Sequence, residues 1–441
     1  MAQPDIVQDA TLRQFDRALL GVFSLPQCKY FVTVLLGLLH CDAAHTLSGL
    51  LRQVAIRVTV SGLSRFLKSC AWSVDALTAA RQERFNVLVA PEVSQTHAQL
   101  RAQRVCCVGR PRKTVVTGFL ILDDSTHVKH YAHAMQGQGW HYSSTDQCTM
   151  PGHSLFQSLY CLAGHQLPLT PQMYRQKAVC EREGVPFLSK VDMALQTIQT
   201  FEPSPDTATH VLMDSWYTNK RIWRACRQRS WDITAGLKSN RQVRTILPDG
   251  ERVWRSVAEY AASLTAEDFQ PVIWPNQEGG QLVYGHVLRT KVKKLGACQV
   301  LIIRPAPDAP KNQWRYWATS RLTDSLEQVV AAVATRWTIE TLFADFKELL
   351  GSDQYQVRSA EAILRFWALG LCLYQYLDEQ RLRLCRERRQ PVSMSEARTW
   401  VRQQHADLLL DWLGLQFRTG ASDDQVRRQL KAALALSALD C

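Results

Sequence analysis

One apolar-periodic stretch, TRWTIETLFADFKELLG (335–351), carries three side chains that could act together on a phosphate. Arg336 precedes Glu340 by four residues, and Lys347 follows Glu340 by seven. At about 100° per residue, all three project within roughly 40° of one another. An acid is therefore flanked by cations on one stripe of a helix that Gly351 ends, a stripe able to hold a metal ion and the phosphates around it. Two other segments, LILDDSTH with Asp123 and Asp124 and HVLMDSWY with Asp214, place acids at the ends of apolar strand-like runs. Magnesium takes oxygen ligands, and enzymes acting on nucleic acids often hold two such ions between carboxylates and substrate phosphates. Asp124, Asp214 and Glu340, from two strands and one helix, meet that requirement if they converge. Taken singly each is weak, because an Asp after a strand usually caps a turn and a helical Glu usually faces water or a pairing lysine.

The elements that must bring these acids together can be traced along the chain. Residues 1–100 read as helices, with apolar spacing through Leu12, Phe15, Leu19 and Leu20 and again from Phe31 to Leu51. In Arg57 to Phe85, Ser61 and Ser73 are N-cap candidates for two short helices. These would form a helix-turn-helix with Arg65 and Lys68 toward DNA, or else an ordinary bundle with a solvated basic face. From Arg101 to Lys113 five cations and no acid surround Gly109 and Pro111, marking a boundary loop. The run TVVTGFLIL (114–122) is then β-branched and apolar, a strand ending at the paired aspartates. Further strands are expected at 154–163, 210–213 and 231–237, and helices at 190–201 and 219–229. Segment 114–239 thus reads as the first part of a mixed α/β domain whose acids sit at strand C-termini, a favoured place for active sites in open sheets. VIW, QLVYGHVL, CQVLIIR and WRYWAT make residues 240–322 a β-rich insertion. A helical stretch from Ser325 to Leu350 brings in Glu340 within the segment 323–360, and 361–441 is a helical C-terminal region rich in arginine.

Composition narrows the partners. A chain of 441 residues with 46% hydrophobic and 21% charged residues can bury a large core. Its net charge of +12 favours a polyanion, nucleic acid or a membrane surface. The start MAQPDIVQDATLRQFDR has no signal-peptide pattern, and the apolar run Tyr30 to His40 is too short to span a bilayer. Nucleic acid is therefore the expected partner, with no membrane role. Thirteen cysteines, none in a CxxC spacing, read as a reduced cytoplasmic complement.

The surroundings of the acids resemble a known family. Arg336-x3-Glu340-x6-Lys347, with Trp337 and Ile339 completing an Arg-Trp-x-Ile-Glu core, resembles the signature helix of bacterial insertion-sequence DDE transposases. That signature also has a tyrosine three residues before the arginine, and its slot falls on Val333. LDDSTH is similar to the family's first motif, which places the catalytic residue at Asp124 with Asp123 as the second choice. LMDSWYTNK is similar to the second motif and gives Asp214. The resemblance implies an RNase H-like mixed sheet flanked by helices, a β-rich insertion between Asp214 and Glu340, and a helical N-terminal DNA-binding region. It implies Mg²⁺, with Mn²⁺ able to substitute, held by Asp124, Asp214 and Glu340. The implied reaction is nicking of transposon ends, often through an end hairpin, followed by attack of the 3′-hydroxyl on target DNA. The implied partners are double-stranded DNA, as terminal inverted repeats and target, and a second copy of the chain when two ends are paired. Arg336 and Lys347 would grip phosphates, and Trp314 or Trp317 would stack on a displaced base unless each is simply a buried strand tryptophan.

Other clusters carry less. Between Asn219 and Arg244 eight cations stand against one acid, Asp232. Lys220, Arg221, Lys238 and Arg241 are its DNA-binding candidates, although charge runs are usually solvated faces. Cys148, His153, Cys161, His165 and Cys180 have spacings that match no common zinc pattern. Two rivals to a cutting transposase stay open: a transposase-derived protein that binds DNA without cleaving it, and a related metal-dependent nuclease acting on other DNA.

Overall fold

The computed structural model describes residues 10–54, 58–103, 116–132, 134–143, 147–247, 249–275 and 279–433. The boundary loop expected at 101–113 therefore lies outside the described residues beyond Gln103.

The chain opens with helices α1 (Ala10–Leu19), α2 (Leu25–His40), α3 (Leu47–Leu51), α4 (Val60–Lys68) and α5 (Val74–Gln103). Ser73 does start a helix, its hydroxyl accepting from Ala76 N at 3.2 Å. The cap of α4 is Thr59, not Ser61: Thr59 Oγ1 accepts from Gly62 N at 3.0 Å, and Ser61 falls inside the first turn. Because α5 runs for 30 residues, the two helices are not the short pair of a helix-turn-helix. Arg65 and Lys68 are exposed, while Leu63, Phe66 and Leu67 on the other face of α4 are buried.

Strands β1 (Val116–Val128), β2 (Gly139–Ser143), β3 (Cys148–Leu162), β4 (His165–Pro168) and β5 (Gln172–Tyr174) follow. Next come α6 (Lys177–Glu183), α7 (Lys190–Thr200), β6 (Thr207–Met213), α8 (Lys220–Gln228) and β7 (Asp232–Gly236). β1 pairs antiparallel with β3 and parallel with β6, and β6 is parallel to β7. The first strand does not stop at the aspartates; it continues to Val128, so Asp123 and Asp124 lie within it. Alternation then puts Ile121 in one core with Leu155 and Leu212, and Leu120 and Leu122 in another with Phe156, Val211 and Met213.

The segment after β7 does not form a sheet of its own. It supplies β8 (Gln242–Ile246), β9 (Arg252–Ser256), the short helix α9 (Val257–Ala262), β10 (Gln270–Trp274), β11 (Gln281–Val292), β12 (Gly296–Arg304) and β13 (Arg315–Thr319). β13 pairs antiparallel with β7, so these strands extend one mixed sheet that has 13 strands among the described residues. Helices α10 (Leu326–Thr335) and α11 (Thr338–Glu348) return the chain to β1, and α12 (Ala360–Arg388), α13 (Met394–Arg418) and α14 (Asp423–Ala433) close it. Ser325 and Ser359 cap α10 and α12, each cap contributing about 1 kcal/mol.

The N-terminal helices share a core with the catalytic sheet. Phe31, Leu35, Leu63 and Phe66 pack in one cluster with α12 residues Phe366, Trp367 and Leu371, with Ile121 and with Ile339, Leu342 and Phe346 of α11. The buried Arg81 ties the layers, donating to Gln375 Oε1 of α12 at 2.8 Å and to Pro168 O of β4 at 2.7 Å. A large mixed sheet flanked by helices is the RNase H-like arrangement. No helix among the described residues is long and apolar enough to cross a membrane.

His210 on β6 is buried, lies 2.8 Å from Thr234 Oγ1 on β7, and has its pKa pushed down to about 3 by burial and by Arg321. An unfolded histidine titrates near about 6.5, so between the two values the unfolded chain binds a proton that the fold refuses. His210's contribution is thus lost as pH falls through that window. The stability gap between wild type and His210→Gln should narrow by roughly 2–3 kcal/mol from about pH 7 to about pH 4.5, read by urea unfolding. A gap that stays constant would mean that His210 titrates normally.

Candidate active site

The site is built where β1, β6 and the α10–α11 junction meet. α11 settles on the sheet because Ile339, Leu342, Phe343 and Phe346 are buried, at about 1.5–3 kcal/mol for each side chain fully removed from water. The helix expected as continuous from 325 to 350 tightens at its middle. Arg336 N, Trp337 N, Ile339 N and Glu340 N all bond the carbonyl three residues back, at 3.0–3.3 Å. Such 3₁₀ tightening often marks a functional point in a helix. Here it draws Arg336 Nη2 to Glu340 Oε1, at 2.7 Å.

Arg336 also reaches the sheet, with Nη1 3.3 Å from Asp123 Oδ2. Asp123 lies one residue past the Leu122–Met213 register pair on β1, and Asp214 follows the last residue of β6, so both leave the second core, and the Arg336 charge acts on both. Burial, then the charges of Asp214 and Asp124, push the Asp123 carboxyl up to about 7. Burial likewise raises Asp214, although Trp216 N and Tyr217 N donate to its Oδ1 at 2.9 and 3.4 Å.

Asp124 points the other way. Its Oδ2 takes Lys190 Nζ of α7 at 2.5 Å and Ser154 Oγ of β3 at 3.4 Å, and its Oδ1 takes Tyr217 Oη at 2.6 Å. The physical reason is the strand itself: two consecutive residues of a continuing strand cannot share a face. Of the expected acid trio, Asp214 and Glu340 therefore lie on the Arg336 side, and Asp124 does not; Asp123, the second choice, does.

These residues fit a divalent cation by their chemistry, being hard oxygen donors, and burial above all leaves Asp123 and Asp214 reluctant to ionise unaided. Among the described residues no three His, Cys, Asp or Glu side chains gather as a metal cluster, and the Arg336 guanidinium stands between Asp123 and Glu340.

Lys347 Nζ donates to Thr126 O at 3.1 Å, fixing α11 to β1. Val333, in the tyrosine slot, is buried with Leu301, Ile303 and Val330, so that slot supplies no hydroxyl. Trp314 and Trp317 line a cavity of about 430 Å³ together with Asp214, Leu237, Lys311 and Arg336. Both rings are half-buried: Trp314 Nε1 donates to Ala309 O and its ring edges against Phe269, while Trp317 packs on Trp274. The basic run divides. Arg221 pairs with Asp192 at 2.8 Å and Arg241 donates to Thr218 O, whereas Lys220 and Lys238 are exposed. The sulfur and imidazole groups once considered for zinc are dispersed, with His153 held by Tyr355 and Gln136 and His165 by Glu92. Sequence reasoning gave Trp216 and Trp337 no role beyond their places in the two motifs, and they are respectively 63% and 50% exposed beside Asp214 and Arg336.

Asp123 within β1, Asp214 just past β6 and Glu340 on α11 thus lie on the Arg336 side of an RNase H-like sheet. The family model for "DDE superfamily endonuclease" matches residues 24–255, more than half of the chain, and that for "Transposase DDE domain" matches residues 189–376. The chain belongs to the DDE superfamily of endonucleases and transposases. No curated protein matches it significantly.

If Asp124 is a structural anchor for β1, its partners should be energetically coupled to it. Lys190→Met should cost roughly 2 kcal/mol by leaving a partly buried carboxylate short of a cation. Adding Asp124→Asn should recover about half of that loss, a coupling that a double-mutant cycle in urea measures. Strictly additive losses would remove the anchor role.

Proposed function

We propose that this chain is a DNA transposase whose metal ligands are Asp123, Asp214 and Glu340, cutting the terminal inverted repeats of its element and joining the 3′-ends to target DNA. The observation that carries this is the Arg336 bridge, which collects acids from β1 and α11 beside Asp214 at one cation. Mg²⁺, or Mn²⁺ in its place, would be held by those three carboxylates. When bound, the ions supply two-metal phosphoryl-transfer chemistry, activating the attacking oxygen and stabilising the leaving one.

The chain's own residues do the rest. Arg336 neutralises the acids and also lines the cavity at Asp214, where it meets an incoming phosphate. Asp124 holds β1 in register through Lys190, Ser154 and Tyr217, keeping Asp123 aimed at the site. Lys347 fixes the far end of the same strand, and from that position contributes positive potential along the DNA path. Trp314 and Trp317 form a wall of the cavity beside the acids. Lys220 and Lys238 carry the exposed positive charge that meets the DNA backbone. The partners are double-stranded inverted repeats and target DNA, with two copies pairing two ends in a bacterial cytoplasm at the nucleoid.

The test is nicking of a plasmid that carries the element's inverted repeats, with Mg²⁺ and with EDTA. Asp123→Asn, Asp214→Asn and Glu340→Gln should each lower cleavage by at least about a thousandfold, the loss expected when several kcal/mol of charge stabilisation is removed. Asp124→Asn should lower it by less than about tenfold, because it acts through strand position. Cleavage that survives Asp123→Asn but not Asp124→Asn would return the ligand to Asp124. Specific binding of the repeats with no nicking by wild type would favour the non-cutting descendant instead.

A further inference from the structure

Arg336 is held from two sides by charges of opposite sign. Its Nη2 lies 2.7 Å from Glu340 Oε1 on α11, and its Nη1 lies 3.3 Å from Asp123 Oδ2 on β1. The side chain is only 12% exposed, so the guanidinium fills the ground between two of the proposed metal ligands. A permanent cation and a divalent ion repel one another strongly at a few ångströms in a partly buried site. Both cannot settle on the same pair of carboxylates.

The guanidinium also has somewhere to go. Its Cζ stands 5.1 Å from the centroid of the exposed Trp337 ring, and the side chain lines the cavity of about 430 Å³ at Asp214. Among the described residues that cavity is lined by two further cations, the exposed Lys311 and Arg315, and by one acid, Asp214. Such a basic hollow attracts a phosphate, and a guanidinium forks onto a phosphate as readily as onto a carboxylate. Arg336 is thus set between two anionic partners, the acids on one side and a phosphate in the cavity on the other.

We propose that Arg336 is a latch on the metal site: it holds Asp123 and Glu340 together until a phosphate in the cavity draws it off, and only then are both acids open to divalent ions. Metal loading and phosphate binding then favour one another, and the chain takes up metal mainly where DNA is already bound. The latch rests on the proposed nuclease site, in which Asp123 and Glu340 are metal ligands.

The test is Mn²⁺ titration of the full chain without DNA, with free Mn²⁺ read by electron paramagnetic resonance at about pH 8.5, where protons compete least for the carboxylates. Arg336→Gln should bind Mn²⁺ at least about tenfold more tightly than wild type, the size of an ordinary coupling between two sites. Arg336→Lys keeps the charge but lacks the fork that spans both acids, so its affinity should rise about threefold. Lys311→Gln removes an exposed cation of the same cavity without freeing an acid, and should stay within about twofold of wild type. Replacing chloride by sulfate at equal ionic strength, as a stand-in for phosphate, should tighten Mn²⁺ binding by wild type and not by Arg336→Gln. An Arg336→Gln variant that binds no more tightly than wild type would overturn the latch. An equal gain from Lys311→Gln would overturn it too, assigning the effect to the general field of the cavity. The same sulfate effect in both proteins would remove the coupling to phosphate. Should Arg336→Gln not fold, Arg336→Lys decides, and no gain in its Mn²⁺ affinity sinks the latch. Asp123→Asn and Glu340→Gln separate this proposal from the one it rests on. Mn²⁺ binding indifferent to both acids sinks the metal site itself, whereas binding lost with either acid but not tightened by Arg336→Gln sinks the latch alone.

Discussion

Everything at this site turns on one guanidinium. Arg336 sits at the tightened junction between two helices and contacts Glu340 one turn on and Asp123 across the interface. Its side chain is only 12% exposed, and the acids it joins are drawn from separate elements. Partly buried carboxylates repel one another and lose hydration, so without a shared cation the α11–β1 interface would hold uncompensated charge. The apolar residues of α11 decide where the helix lies on the sheet. Arg336 then decides which polar groups face each other once it is there. A bidentate, permanently charged fork suits that role in a way a lysine point charge does not.

The second constraint is the period of a β-strand. β1 carries polar residues at its carboxyl half, Asp123 to His127, where a purely apolar strand would simply be buried. Alternation assigns Asp123 to the side of α11 and Asp124 to the side of α7 and Tyr217, and each finds a cation there. The pair therefore divides its labour: one acid is left reluctant to ionise beside Arg336, the other is fully occupied inside the fold. The added strands β13, β12 and β11 continue the same sheet and bring Trp314 and Trp317 to the wall of the cavity at Asp214. A β-rich insertion can thus shape the site without being a separate body.

Most elements were legible because their signals are local. β-branched runs gave the sheet strands, and Ser73 and Ser325 marked helix starts where their hydroxyls do accept backbone N–H bonds. What was not legible depended on length and on partners far away in sequence. The run Leu122-Asp123-Asp124-Ser125 looks like a strand end because polar residues usually terminate strands. It continues only because Lys190, Ser154, Tyr217 and Arg336 await those side chains from four other segments. Thr59 took the cap expected at Ser61 because two capping residues compete within one turn, and only packing of Leu63 and Phe66 selects the register. Exposure of a tryptophan has no local signal at all. Trp216 and Trp317 both follow strand-like or turn residues, and only the fold separates the exposed ring from the packed one.

Charge shows the same dependence on context. The eight cations between Asn219 and Arg244 look like a uniform DNA-facing surface when counted. Arg221 is paired with Asp192, Arg227 donates to Leu295 O, Arg229 closes the carbonyl end of α7, and Arg241 fixes the Trp216 loop. Half of the run is therefore already engaged in holding α8 and its loops in place. Arginines that satisfy backbone carbonyls keep their charge, so they still add to the long-range potential that attracts a polyanion. They would not each release a counterion on contact, because their donors are committed to protein. The net charge of +12 thus measures attraction for a polyanion better than it measures contact, and the members of the run left exposed are Lys220, Arg224 and Lys238.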